Sequence, residues 1–528
     1  MRNSLNTFNK RNRFNLKKDN LLTCNMGKLV PVYWKETVPG DVFKIAPTVV
    51  ARMQPMLAPM MSQVDVRLHF FFVPNRLLFD DWEKFITGGK QNNDTTQAPV
   101  IAVPEGGFAT SSLGDYLRVP TGSTAAGAYV SALPFRAYAR IYNEWWRPEN
   151  LKDEIGFSTA AGVDSTTNTT LQNANWSHDY FTDCLPWPQR GDPVYLPLGI
   201  DAPVVGNGKA LGLSPGGSPG VGLTGVTSNS TIFFSGNTSS YGATAGTTVS
   251  GSFSVSNNKA YGVSTSADYS GLKADLSSAT AVTVDALRAA VQVQQNAYLM
   301  ARAGYRYIEY IKAFFGVTAS DYRLQRSEYL GGFKVPMMIS EVLQTSETAD
   351  TPQGNMSGHG VTAGSKKAFT KGFEEHGIIM GLLSIVPKSA YFQGLGRDLT
   401  RSTRYDYLNP VYAHLGEQLV LNKEVIVTGT SRDDEGFGYI PRYEEYRKDY
   451  SEIHGDFRDS LKYWHLAREF DPSDPPTLSA QFVECSPSKR IFAVEDESVD
   501  SVMVKCHFEV KAIRPLPKFG NPGLMDHY

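Results

Sequence analysis

Val64-Asp65-Val66-Arg67-Leu68-His69-Phe70-Phe71-Phe72-Val73-Pro74 decides the fold class. Val64, Val66, Leu68, Phe70 and Phe72 fall on one side of an extended chain, and Asp65, Arg67 and His69 on the other. Successive side chains of a strand point to opposite faces, so this alternation predicts a β-strand with a buried face, stopped by Pro74. The pattern returns near the far end of the chain. There Val502, Val504, Cys506, Phe508, Val510 and Ala512 alternate with Ser501, Met503, Lys505, His507, Glu509 and Lys511. Between them, Ile378–Val386 is an unbroken apolar run, as expected of a strand covered on both faces. Leu419–Thr428, rich in β-branched residues, reads as a further strand. Strands this distant in sequence must assemble from separate segments, which suits a sandwich or jelly roll and not a series of local hairpins.

Few helices are expected. Asn75–Thr87 is a short candidate with Asn75 as N-cap and Gly88 beyond its end. A longer one spans Val284–Phe315, where Leu287, Val291, Tyr298, Ala301, Tyr305, Ile308 and Ile311 recur at helical spacing and Gly316 supplies the stop. Gly304 inside it weakens the helix by about 1 kcal/mol relative to alanine and marks a candidate break.

The 528 residues carry a formal charge of −2, which hides a local excess. Residues 1–20 hold Arg2, Lys10, Arg11, Arg13, Lys17 and Lys18 against Asp19, with few large apolar groups to bury. This reads as a basic N-terminal arm. Flexible Lys/Arg segments bind phosphate backbones by releasing condensed counterions, so these six residues are the candidate nucleic-acid contacts. Residues 201–278 are rich in Gly, Ser and Thr and nearly free of charge, with strand-like pieces at Thr231–Phe234 and Ser252–Val255. They read as a surface insertion of short strands and loops. Thr345–Gly364 reads as a second polar loop. The basic N-terminus lacks a secretory apolar core, and the longest apolar run is too short for a bilayer. Cys24, Cys184, Cys485 and Cys506 contain no CxxC pair and read as reduced, with a Cys485–Cys506 pairing left open.

Catalytic patterns fail on context. Gly212-Leu213-Ser214-Pro215-Gly216 spells a nucleophile elbow, but Pro215 has no N–H to offer an oxyanion, and no buried strand and helix flank it. Gly220-Val221-Gly222-Leu223-Thr224-Gly225 lacks the strand and helix a dinucleotide needs. Neither a phosphate loop nor an HExxH motif occurs, and the nine histidines are scattered, so no catalytic residue, cofactor or metal ligand is assigned. Asp433-Asp434 and Glu444-Glu445 lie in a mixed-charge stretch, Arg432–Phe470, that reads as solvated or interfacial. Its Tyr439, Tyr443, Tyr446, Tyr450, Phe457 and Trp464 suit base stacking, core packing or subunit contact.

A long ordered set of segments is similar to the major capsid proteins of the Microviridae, the small single-stranded-DNA bacteriophages, and above all to the gokushovirus branch. It begins with Pro39-Gly40-Asp41-Val42-Phe43, Arg52-Met53-Gln54-Pro55-Met56 and His69-Phe70-Phe71-Phe72-Val73-Pro74-Asn75-Arg76-Leu77-Leu78. It continues through Leu196-Pro197-Leu198-Gly199, Tyr305-Arg306-Tyr307-Ile308-Glu309, Phe315-Gly316-Val317, Tyr329-Leu330-Gly331-Gly332 and Thr351-Pro352-Gln353-Gly354-Asn355. It ends with His376-Gly377-Ile378-Ile379, Gly416-Glu417-Gln418, Tyr463-Trp464-His465-Leu466 and Pro517-Lys518-Phe519-Gly520-Asn521-Pro522-Gly523-Leu524. The match covers nearly everything except residues 201–278. Ser327, where the family often has proline, is a departure expected to alter one loop.

The resemblance implies a mainly β fold: an eight-stranded antiparallel jelly roll with long loop insertions and a few helices. It would occupy residues 21–528 as one capsid domain, interrupted by the protrusion at 201–278 and followed by an extended tail at 514–528. It further implies a structural protein with no enzymatic activity and no cofactor. Sixty copies would form a T=1 shell around circular single-stranded DNA, made in the host bacterial cytoplasm, with minor virion and scaffolding proteins and a host surface receptor as further partners and no membrane insertion. A β-sandwich that binds or hydrolyses carbohydrate is the alternative. Its aromatics and carboxylates are present, but the absent secretory signal and the basic arm argue against it.

Overall fold

A computed structural model describes residues 11–194, 284–343 and 356–518 apart from 495 and 497, together with four short stretches between 204 and 274. The chain divides into two units, Met1–Arg190 with Ala297–Tyr528, and Gly191–Asn296.

The first unit is built on eleven principal strands. They are β1 (Asn12–Asn15), β2 (Lys18–Cys24), β3 (Leu29–Thr37), β4 (Val42–Met53), β5 (Val64–Pro74) and β6 (Glu328–Pro336). Then come β7 (Met338–Leu343), β8 (Met356–Ser365), β9 (Phe369–Gly372), β10 (Gly377–Pro387) and β11 (Val502–Arg514). The larger sheet runs β1-β11-β4-β8-β7, with β2 also on the β11 edge and β9 also on β4. The smaller runs β3-β10-β5-β6. Every pairing in both sheets is antiparallel.

The two sheets face each other across one core. Phe43, Ile45 and Val49 of β4 and Val504, Phe508 and Val510 of β11 meet Val66, Leu68 and Phe70 of β5 and Ile379, Leu383 and Ile385 of β10. The Phe70 ring lies 5.6 Å from Phe369, 6.2 Å from Tyr33 and 6.4 Å from Phe508, centroid to centroid, so it touches both sheets.

The far side of the smaller sheet is covered too. Phe71, Val73, Ile378, Met380 and Leu382 pack on Phe135, Tyr138, Ile141 and Tyr142 from a helix at Leu133–Trp145. Double coverage explains why all of β10 is buried. The second face of β5 is buried in part as well: Asp65 is 4% exposed, with Lys334 Nζ at 2.6 Å. The covering helix escapes the periodicity argument because its buried stripe contains Arg136 and Asn143. Arg136 Nε donates to Asp164 Oδ2 at 2.8 Å, and its Nη1 and Nη2 donate to the Leu78 and Ala160 carbonyls at 2.8 and 2.9 Å.

The open edge of β3 is closed by side chains from neighbouring elements. Asn20 Nδ2, Arg118 Nη2 and Arg514 Nη2 donate to the carbonyls of Val32, Trp34 and Glu36 at 2.8, 2.6 and 3.1 Å. An edge whose acceptors are engaged this way is a poor template for stray strand pairing.

Several local expectations change. The Asn75–Thr87 candidate resolves into a single 3-10 turn at Asn75–Leu77 and a short helix, Trp82–Thr87, ended by Gly88 at φ +73°. The long candidate splits at Gly304, φ +91°, into Val284–Ala303 and Tyr307–Phe315, and Gly316 closes the second piece at φ +66°. Leu419–Thr428 is not one strand. It is extended only to Leu421, and Asn422–Val425 forms a helical turn because Glu424 reaches back to accept the Leu421 N–H at 3.0 Å. The expected loop at Thr345–Gly364 ends in β8 instead. A Cβ on Gly358 would sit 2.4 Å from the Ala58 carbonyl oxygen, and one on Gly364 2.3 Å from Val335 Cγ2, so its small residues mark close strand packing. The four cysteines are free and buried. Cys506 lies in the inter-sheet core while Cys485 packs with Ala174, Trp176 and Val386, and burial pushes the Cys506 thiol up to about 12.

In the second unit, Val204–Pro215 pairs antiparallel with Val221–Gly222, Tyr261–Val263 and Ser270–Ala274. The expected pieces at Thr231–Phe234 and Ser252–Val255 lie outside the described residues, as does the tail from 519 onward.

Candidate nucleic-acid interface

Among the described residues, the outer face of the larger sheet is a broad β-surface whose outward residues stay exposed or half-buried. Along β11, Met503, Lys505, His507, Glu509, Lys511 and Ile513 alternate with buried core residues. Register places Arg52 beside Met503, Val50 beside Lys505, Thr48 beside His507 and Lys44 beside Lys511. On the other side of β11, Arg13 lies beside Ile513, Asn15 beside Lys511, Asp19 beside His507 and Leu21 beside Lys505. Four strands therefore send outward rows to this face, with β11 flanked by β4 on one side and by β1 and β2 on the other.

This row set is basic. Arg13, Lys17, Lys44, Arg52 and Lys505 make no salt bridge among the described residues, whereas Lys511 is held by Glu509 at 3.0 Å and His507 is paired with Asp19. Lys44 and Lys511 are direct cross-strand neighbours. Like charges in that position oppose sheet formation, and Glu509 beside Lys511 offsets part of that repulsion.

The predicted arm residues divide accordingly. Arg2 and Lys10 lie outside the described residues. Arg13 and Lys17 join the basic face. Arg11 precedes β1, with its guanidinium against Gly40. Lys18 points away from that face, towards Arg118 and Lys35. Burial first, and then those two cations, push its ammonium down to about 8. Residues 12–15 and 18–20 are also not a free arm, because they form β1 and the start of β2 on the β11 edge. Half-buried Phe14, Leu16 and Leu22 along this segment provide the inward row that composition alone underrates. Lys44 and Arg52 went unread, although Phe43, Ile45, Val49, Ala51 and Met53 alternate with them and signal the same outward row.

The aromatics of the mixed-charge stretch serve several purposes. Tyr443 is buried at φ +62°, with its hydroxyl on the Tyr405 carbonyl at 3.0 Å, and Tyr450 packs on a core around Phe181. Tyr446 stays exposed, with the Arg401 guanidinium 4.8 Å from its ring centre.

The chain has relatives that align over nearly its whole length. The sequence profile of the phage family described as Capsid protein (F protein) matches residues 4–524. The chain belongs to this capsid-protein family. Capsid protein VP1 of Bdellovibrio phage phiMH2K is 36% identical over 537 aligned residues, which cover 98% of this chain and 96% of the relative. Capsid protein VP1 of Chlamydia phage 1 is 34% identical over 95% of this chain and 94% of its own length. For Capsid protein VP1 of Spiroplasma virus 4 the identity is 31%, over 97% and 95%. The capsid protein is thus a structural subunit and not an enzyme, its place is the virion, and it acts by assembling into a capsid. No helix among the described residues is long and apolar enough to cross a membrane.

Proposed function

We propose that this capsid protein is the major coat subunit of a T=1 shell of sixty copies enclosing circular single-stranded DNA. The observation that carries the DNA contact is the solvent-facing basic row set on β1, β11 and β4, joined by the basic residues that precede β1. An eight-stranded jelly roll is the reading that suits the strand order. β2-β11-β4-β8 and β3-β10-β5-β6 are two antiparallel four-strand sets, and consecutive strands pass repeatedly from one set to the other. On this reading the 201–278 insertion stands on the outer surface and contributes to host attachment, and the tail at 514–528 clasps a neighbour. Scaffolding and minor virion proteins assist assembly in the host cytoplasm.

A deletion through residue 18 would remove β1 along with the charge, so substitution is the cleaner test. Each phosphate neutralised on a single strand contributes about 0.7 to the slope of log K against log salt. Arg13→Gln with Lys17→Gln should therefore flatten that slope by about 1.4, measured by anisotropy with a labelled oligodeoxynucleotide, and lower the nuclease-protected DNA per particle. An unchanged slope and unchanged DNA content would remove this face from the mechanism.

A further inference from the structure

The helix Tyr307–Phe315 contains no buried residue, although seven of its nine positions, Tyr307-Ile308-Glu309-Tyr310-Ile311-Lys312-Ala313-Phe314-Phe315, are apolar or aromatic. Tyr307 is 65% exposed and Phe315 67%, and Val317 and Tyr322 just beyond are 55% and 56% exposed. A helix that is hydrophobic on most sides is normally enclosed by protein. Nine residues are also too few to hold a helix in water without packing, since isolated helices below about 12–15 residues are marginal.

Within the subunit the helix is tied mainly at its start. Arg306 Nη2 donates to the Asn143 carbonyl at 2.9 Å, Arg306 Nε lies 3.3 Å from Glu149, and the Arg306 N–H donates to Glu309 at 3.3 Å. Beyond that, its aromatic rings pack mainly on each other, Tyr310 and Phe314 tilted by 34° with ring centres 4.5 Å apart.

We propose that a second copy of this chain covers the Tyr307–Phe315 helix in the assembled shell, an inference that rests on the coat-subunit reading above. Tyr307, Phe315, Val317 and Tyr322, with the half-buried Ile308, Tyr310, Ile311 and Phe314, expose on the order of 500 Å² of largely apolar surface. A standard interface takes about 800 Å² from each partner, so this patch supplies most of one side. Every subunit of a shell carries the patch. Another copy is the partner available in equal number, and a net charge of −2 sets no strong repulsion between copies. Exposed Lys312 and Arg323, which make no salt bridge among the described residues, form a polar rim.

Hydrogen exchange on particles and on subunits dissociated from them tests this. Amides of 307–315 should exchange at least about tenfold more slowly in the particle, a difference worth one tenfold step in an opening equilibrium. Tyr307→Glu with Phe315→Glu should leave the subunit's circular dichroism and the exchange protection of β5 and β10 unchanged while cutting particle yield at least about tenfold. Particles whose helix amides exchange as fast as in free subunits would overturn the proposal, as would normal particle yield from the double variant. If that variant does not fold, the wild-type exchange comparison decides alone. Absence of wild-type particles would instead strike the coat-subunit reading itself.

Discussion

Arg136→Ala is expected to lower the free energy of unfolding by about 3–5 kcal/mol, the usual cost of breaking a buried ion pair from one side. Arg136 and Asp164 have side chains 1% and 0% exposed. Asp164 also accepts from the Thr166 and Thr167 N–H groups, both at 3.0 Å, and from the Thr167 hydroxyl at 2.6 Å. Alanine would strand a carboxylate and two carbonyls, those of Leu78 and Ala160, away from water. The loss reaches past one bond, because these contacts fix the helix Leu133–Trp145 against the loop that carries Asp164. Arg136→Lys should recover only part of the stability, since a single ammonium cannot reach three acceptors arranged around a planar fork. A shift in urea midpoint at constant m-value measures both. A loss under about 1 kcal/mol for the alanine variant would show that water reaches Asp164.

Phe70→Ala should cost about 3–5 kcal/mol as well, through lost burial and the cavity left behind. The ring is 0% exposed and sits between Tyr33, Phe369 and Phe508. Its neighbours belong to strands of both sheets, which cannot close the gap without moving backbone. Leucine at this position should cost much less, because it refills most of the volume. Calorimetry of the two variants side by side separates burial from shape. Equal, small shifts for both would mean that the sheets slide together to fill the void.

Much of this architecture was legible where burial is one-sided. β11 follows its apolar alternation residue by residue, and the unbroken run of β10 correctly announced cover on both faces. The break at Gly304 was legible because a residue without a Cβ alone settles readily at φ +91°. Legibility failed where tertiary contacts overrule local pattern. Arg136 and Glu424 are polar residues held inside by specific partners, and each breaks the periodicity around it, whereas the alternation around the buried Asp65 still marks its strand. Gly358 and Gly364 looked like loop composition because the backbone and side chains that crowd them come from distant segments. The candidate site was half legible. Arg13 and Lys17 were visible as charge, but Lys44 and Arg52 join them only through pairing with β11, a register no single segment encodes.

Self-assembly of the coat subunit around single-stranded DNA is tested most directly by the mass and shape of the purified assembly. Electron microscopy with mass photometry should find closed, uniform particles of about 3.5 MDa of protein, sixty copies of a 58.1 kDa chain, with nuclease-protected DNA inside. A chain that stays monomeric under all assembly conditions, or that closes only into open sheets or tubes without DNA, would contradict it.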